Sequence, residues 1–316
     1  MWHDRLPDFM ERVPPRQLVL QRVKGVSRWL PAAGQCDPAA VHKVRVATRR
    51  LREALPVVAR GKKARALLKG ARRIARALGP IRELDVVLTT LTEFATVSGV
   101  SSDSIARVMW VIAEERRRLC TGMQRRLERC DVRALGARAA AAVNARPTSD
   151  AGRALLAHAE VRGGRRATRL RGAIENAAGI YLPDRLHEVR VGVKKLRYAM
   201  ELAQDLRGAR RIPRPAPASG SARADAARLR TLRRAQELLG RMHDLEVLIA
   251  RIRALQGTSA AAELRMSADL DQLIRRLENE CRDLHGTYMA AREHMLAVCE
   301  YAEATSKKHQ RTRRAA

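Results

Sequence analysis

Two stretches of this 316-residue chain repeat each other, VHKVRVATRRLREAL (Val41 to Leu55) and LHEVRVGVKKLRYAM (Leu186 to Met200). Seven of their fifteen positions are identical, and Arg49/Lys194 and Arg50/Lys195 conserve positive charge. In each copy a histidine is followed by basic residues three, seven and ten positions later: His42, Arg45, Arg49 and Arg52, then His187, Arg190, Lys194 and Arg197. At about 100° per residue these four side chains fall within roughly an 80° arc of one helix. Val41, Val44, Ala47, Leu51, Ala54 and Leu55 fill the neighbouring arc, so an apolar stripe anchors each basic one.

A second pair of segments keeps the same register. LGPIRELDVVL (Leu78 to Leu88) matches LGRMHDLEVLI (Leu239 to Ile249), and upstream Lys69, Arg72 and Arg73 correspond to Arg230, Arg233 and Arg234. The first motifs are 145 residues apart (42 to 187) and the second 161 (78 to 239). The difference of 16 is the length of RGARRIPRPAPASGSA, residues 207–222, a Pro/Ala/Ser/Gly-rich stretch expected to be a flexible linker. One insertion accounts for the whole discrepancy, so the chain is read as two structural repeats. The expected boundaries are 1–145 for the first half and 146–303 for the second, with the insertion at 207–222. A basic, disordered tail is expected at 304–316.

Helical periodicity runs through almost the whole chain and no strand is convincing, so the expected class is all-α, with about four helices in each half. Breaks are expected at 31–38, 98–104, 144–152 and 207–222. Asp37 before Pro38, and the Pro183-Asp184 pair, are placed to start the two His-bearing helices. Gly79-Pro80 interrupts a helix because proline lacks a backbone donor. Gly163-Gly164 inside a helical stretch marks a kink or a close backbone approach.

Charge narrows the function. Sixty-three Lys+Arg against 33 Asp+Glu leave a formal net charge of +30, which favours nucleic acid, anionic membrane or polyphosphate as partner. Aromatics are only 3%, little for a protein that stacks bases. The five cysteines form no CxxC pair, so neither a zinc ribbon nor a disulfide framework is indicated, and Cys120 and Cys299 read as small buried hydrophobes. No apolar run is long enough to cross a membrane, and MWHDRLPDFMERVPP lacks a signal-peptide core, so the expected location is the cytoplasm.

The quoted motifs together resemble the CHAD family, the conserved-histidine α-helical domains, over roughly residues 17–301. The resemblance implies two helical bundles related by a pseudo-twofold axis, with a basic groove or pore between them that binds inorganic polyphosphate. It also implies a possible place on polyphosphate or polyhydroxyalkanoate granules, as for the family members called phosins. The Glu-x-Glu-x-Lys strand motif of the hydrolase domain fused to other members is absent from this sequence. The chain departs from the family pattern in having Lys194 and Lys195 where its first copy has Arg49 and Arg50, and His243 where it has Arg82.

The mechanism follows from chemistry alone. Polyphosphate carries repeated negative charge and no bases, so spaced cations must recognise it. Arg45, Arg49 and Arg52 are expected to face Arg190, Lys194 and Arg197, with Lys69, Arg72, Arg73, Arg230, Arg233 and Arg234 as a second layer. His42, Arg50, Arg76, Arg82, His187, Lys195 and His243 complete the expected binding set. Guanidinium groups bind phosphate bidentately, and each such contact exceeds a neutral hydrogen bond. Glu83, Asp85, Asp244 and Glu246 are expected to pair with arginines and aim them, in preference to holding Mg²⁺. No catalytic residue, metal or cofactor is expected. Nucleic-acid binding, supported by charge alone and expected to be weak and non-specific, is the alternative. A phosphohydrolase is less favoured, since GxxxxGK[ST], HExxH and Glu-x-Glu-x-Lys are all absent.

Overall fold

The computed structural model describes residues 15–59, 61–95, 101–130, 132–142, 149–208, 219–257 and 264–314, and these form ten α-helices without a strand. In the first half they are α1 (Pro15–Gly34), α2 (Pro38–Val58), α3 (Gly61–Ala77), α4 (Gly79–Ala95), α5 (Ser102–Glu128) and α6 (Val132–Ala142). The second half has α7 (Ser149–Asn176), α8 (Pro183–Gly208), α9 (Ser219–Gln256) and α10 (Leu264–Arg314).

One of the two extra helices of the first half has a local cause. The helix pair α3–α4 is broken at Leu78-Gly79-Pro80, whereas the matching Leu239-Gly240-Arg241 runs on inside one 38-residue helix, α9. Proline cannot donate the hydrogen bond that a continuing helix needs, and arginine can. The start of α2 is set as expected: the Asp37 carboxylate accepts the Ala40 N–H at 2.6 Å and Pro38 occupies the first turn.

The apolar stripe of α2 goes inside, with Val41, Val44, Leu51, Ala54 and Leu55 all buried. Its core includes residues of α1, α3, α5 and α6 and also Leu156 and Ala159 of α7 and Leu202, Ala203 and Leu206 of α8. A second core lies among α7, α8, α9 and α10. A third joins α4 and α5 (Leu84, Val87, Ile105, Ile112) to α9 and α10 (Leu245, Leu248, Leu273, Leu277). Two of the three cores therefore cross the boundary between the repeats. The halves are interlocked by apolar burial, the dominant favourable term in folding.

Three expectations change. Residues 304–314 are not a disordered tail but the last turns of α10. Ser306 is buried against Gly164, where an added Cβ would meet the Ser306 Cβ at 2.3 Å, and His309 pairs with Glu160. The glycine pair thus allows a close approach of two helices, and α7 runs through it unbroken. The linker is shorter than 207–222, since α8 reaches Gly208 and α9 begins at Ser219; positions 209–218 lie outside the described residues. Cys36 and Cys120 form a disulfide, joining the α1–α2 turn to α5 across 84 residues. Nothing in cysteine spacing reveals a pair brought together only by helix packing. Cys299 is buried as expected.

Candidate functional site

Because α2 and α8 carry the two copies of the basic stripe and pack against each other, the stripes meet. Between them, with α3, α4, α7 and α9 as further walls, lies a groove of about 640 Å³. Its lining holds ten Lys/Arg side chains against the three acids Glu53, Glu83 and Asp244, so its sign is decisively positive.

Ten of the expected site residues line this groove: His42, Arg45, Arg49, Arg52, Arg72, Arg82, Arg190, Lys194, Lys195 and His243. Arg49 couples the two halves. Its charge depresses the proton affinity of Arg45, Arg52 and Arg82 on one side and of Arg190 and Lys194 on the other. Burial is the larger cause in each case. Burial and then Arg49, Arg82 and Arg52 bring Arg45 down to about 10. Burial, Arg190 and Arg49 bring Lys194 down to about 7. Asp244 opposes this charge from within: burial raises its pKa, while Arg190, Lys194 and Arg82 pull it back. Arg45 is held in place by donating to the Ala75 carbonyl near the end of α3, at 2.9 Å.

The other nine expected residues do not line the groove. Arg197 is buried and donates to Gln236 Oε1 at 2.9 Å and to Glu201, with its guanidinium 4.3 Å over the Tyr198 ring. Its mate Arg52 stays in the groove because the position four residues on is Pro56 in the first repeat and Glu201 in the second, and only the latter can pair with it. Lys69, Arg73 and Arg76 of α3 and Arg230, Arg233 and Arg234 of α9 lie exposed; Arg76 is near enough to act on Arg52, and Arg233 reaches Glu201 at 3.7 Å. Arg50 is half-buried with its carbonyl accepting from Arg22 at 2.7 Å. His187 is exposed next to His243.

Two groove cations escaped the motif reading. Arg162 and Arg166 on α7 reach the buried Glu53 of α2, at 3.1 and 2.6 Å, and Arg166 also donates to the Lys195 carbonyl at 2.7 Å. Arg22 makes the matching set on the other side, donating to the Arg50 carbonyl and to Asp205 of α8 at 2.7 Å. Each half thus reaches with its first helix to a carboxylate on the other half's motif helix. The signal was present in the sequence: Arg22 and Arg166 lie 144 residues apart, one short of the motif offset.

The acids aim arginines, though not always the expected ones. Asp85 binds Arg116 at 2.6 Å, and that arginine also donates to the Cys36 carbonyl. Glu83 and Glu115 hold Arg251 of α9 at 3.0 and 2.7 Å. Glu246 accepts from the Tyr181 hydroxyl at 2.5 Å. Among the described residues no three His, Cys, Asp or Glu side chains come together as a metal site requires, and no helix is long and apolar enough to cross a membrane.

An all-α fold with a cationic groove where two His-Arg helices meet defines a class of helical protein built from two repeats around a basic groove. The chain belongs to the CHAD family, whose domain model matches residues 18–218. The fold is similar to that of the CHAD domain from the plant Ricinus communis, seen in a crystal structure, at 21% identity and a TM-score of 0.56 over 85% of this chain and 90% of that one. It is also similar to PptA from Streptomyces chartreusis, at 14% identity and a TM-score of 0.54 over 93% and 98%. No curated protein matches the chain.

Proposed function

We propose that this protein binds inorganic polyphosphate in the groove between its two repeats, as a recognition module without catalysis. The observation that carries the reading is the ten-to-three excess of cations in one groove built from both halves. Like charges held together in the empty site cost stability, and an anionic ligand relieves that cost. Among the described residues the groove lining holds no Phe or Trp and one Tyr, the buried Tyr198, so it offers charge and donors and little stacking surface for bases. Residence in the cytoplasm, on polyphosphate or polyhydroxyalkanoate granules, is the cellular counterpart of this reading. Non-specific contact with nucleic acid is its weaker by-product.

The test is a titration with long-chain polyphosphate and, at equal phosphate concentration, duplex DNA, repeated on Arg45→Glu/Arg190→Glu. Polyphosphate is expected to bind, to raise the melting temperature at low salt and to resist displacement by DNA, and the double reversal is expected to abolish this. Intact affinity in the double variant at moderate salt, or ready displacement by DNA, would remove the reading. Phosphate release on incubation with polyphosphate and Mg²⁺ would contradict the non-catalytic part alone.

A further inference from the structure

The two copies of the motif differ in one respect that bears on the ligand. In the first repeat the motif positions hold His42 and Arg82; in the second they hold His187 and His243. A fixed cation has thus been replaced by an imidazole. The two rings of the second repeat lie side by side, with centroids 5.1 Å apart. His243 lines the groove from α9, and His187 stands beside it on α8.

Charges reach this pair from every side. On α8 they are Arg190 and Lys194, with Asp184 and Glu188 near His187. On α9 they are Asp244 and Glu246, and Arg49 and Arg45 of α2 and Arg82 of α4 act on the same cations and on Asp244. Glu246 is the carboxylate aimed at the pair, with one oxygen 3.9 Å from His243 Nδ1. Its other oxygen is tied down by the Tyr181 hydroxyl at 2.5 Å. Tyr181 is itself packed edge-on against the His285 ring at 5.4 Å. The carboxylate is therefore fixed beside His243 but just beyond hydrogen-bond reach of it.

We infer that His187 and His243 form a proton-accepting pair of the binding site, positioned by Glu246 and Tyr181, which is neutral in the empty groove and takes one proton from solvent when a polyanion enters. The inference rests on the polyanion reading and adds to it that binding is coupled to proton uptake. In the empty groove a charged imidazole would sit against its twin, Arg190 and Lys194, which is unfavourable at such distances. Burial and then these same neighbours hold His243 down at about 4 and His187 below its ordinary value. A phosphate chain reverses the sign of the surroundings and restores the proton's affinity. Affinity then rises as pH falls, by up to tenfold per pH unit for one linked proton.

Calorimetric titration of the full chain with long polyphosphate at pH 6, in buffers of different ionisation enthalpy, reads the protons taken up. A synthetic polysulfate serves as a parallel ligand whose own groups do not titrate there. Uptake of about half to one proton is expected with both ligands. His187→Asn/His243→Asn is expected to remove most of the uptake at pH 6 and to flatten the affinity between pH 5.5 and 6, where Lys194 already carries its proton; the slope left above that belongs to Lys194. Glu246→Gln is expected to lower the uptake at pH 6 without changing the salt slope, which a merely structural carboxylate would not do. Binding by the wild type with no uptake, or full uptake in the double histidine variant, overturns the inference and leaves the polyanion reading standing. Failure of the wild type to bind either polyanion at any pH overturns both.

Discussion

Replacing Lys194 by methionine should make the protein more stable and a poorer binder at once. Lys194 projects from α8 into the groove, where burial, Arg190 and Arg49 bring it from 10.5 to about 7. At about 1.4 kcal/mol per pH unit this difference corresponds to about 5 kcal/mol between its two protonation states. At pH 7, where the folded group is half-charged and the unfolded one fully so, the cost to folding is about 4 kcal/mol. Solvent reaching the open groove screens this to about 2–3 kcal/mol. The sign follows from proton counts. Between pH 7 and 10.5 the unfolded chain binds the extra proton, so this group's contribution to stability rises with pH through that window, and the penalty is complete below it. Methionine keeps the length and apolar stem without the charge. The variant should gain about 2–3 kcal/mol at pH 7, visible as a rise of roughly 3–5 °C in Tm. It should also lose one charge-assisted contact to polyphosphate, about tenfold in Kd. Thermal melts from pH 6 to 10, paired with a binding titration, supply both readings. A variant no more stable than wild type at pH 7, or one with the same pH slope between 7 and 10, would refute the argument that Lys194 is held in an electrostatically hostile site.

Glu53→Gln strips the buried carboxylate from two arginines, Arg162 and Arg166, and should cost about 3 kcal/mol in a urea denaturation series. Gly164→Ala forces a Cβ against Ser306 and should cost about 1–3 kcal/mol, whereas the adjacent Gly163→Ala meets nothing within 4 Å and should be neutral or slightly stabilising; melting temperatures of the two variants decide this. Reducing the Cys36–Cys120 disulfide, which closes a loop of 84 residues, should lower stability by about 4 kcal/mol, measured as the change in melting temperature with and without a reducing agent.

Helix-forming composition, the period of the apolar positions and a twofold repeat were all open to inspection in the linear chain. They were enough for the all-α class, for the faces that α2 and α8 bury, and for ten of the residues that line the groove. Local chemistry was equally legible: Asp37 caps α2, and a proline at position 80 divides α3 from α4 where Arg241 leaves α9 whole. These features depend on neighbours within a turn or two, and the code for such neighbours is written residue by residue.

Pairings between distant segments were beyond its reach. Arg52 and Arg197 hold the same motif position, yet one faces the groove and the other is buried under Gln236 and Glu201. Arg162 and Arg166 bear no motif and enter the site only because α7 crosses α2 at Glu53. The last turns of α10 read as a solvated basic tail until Gly164 and Glu160 supplied the surface on which Ser306 and His309 rest. Sequence by itself determined which faces of the helices are apolar and which basic, because helical periodicity is local. Only the tertiary structure decided which basic faces meet. Helix crossings are set by side-chain packing over the whole core, and a long arginine chooses its carboxylate from whatever that packing brings within reach.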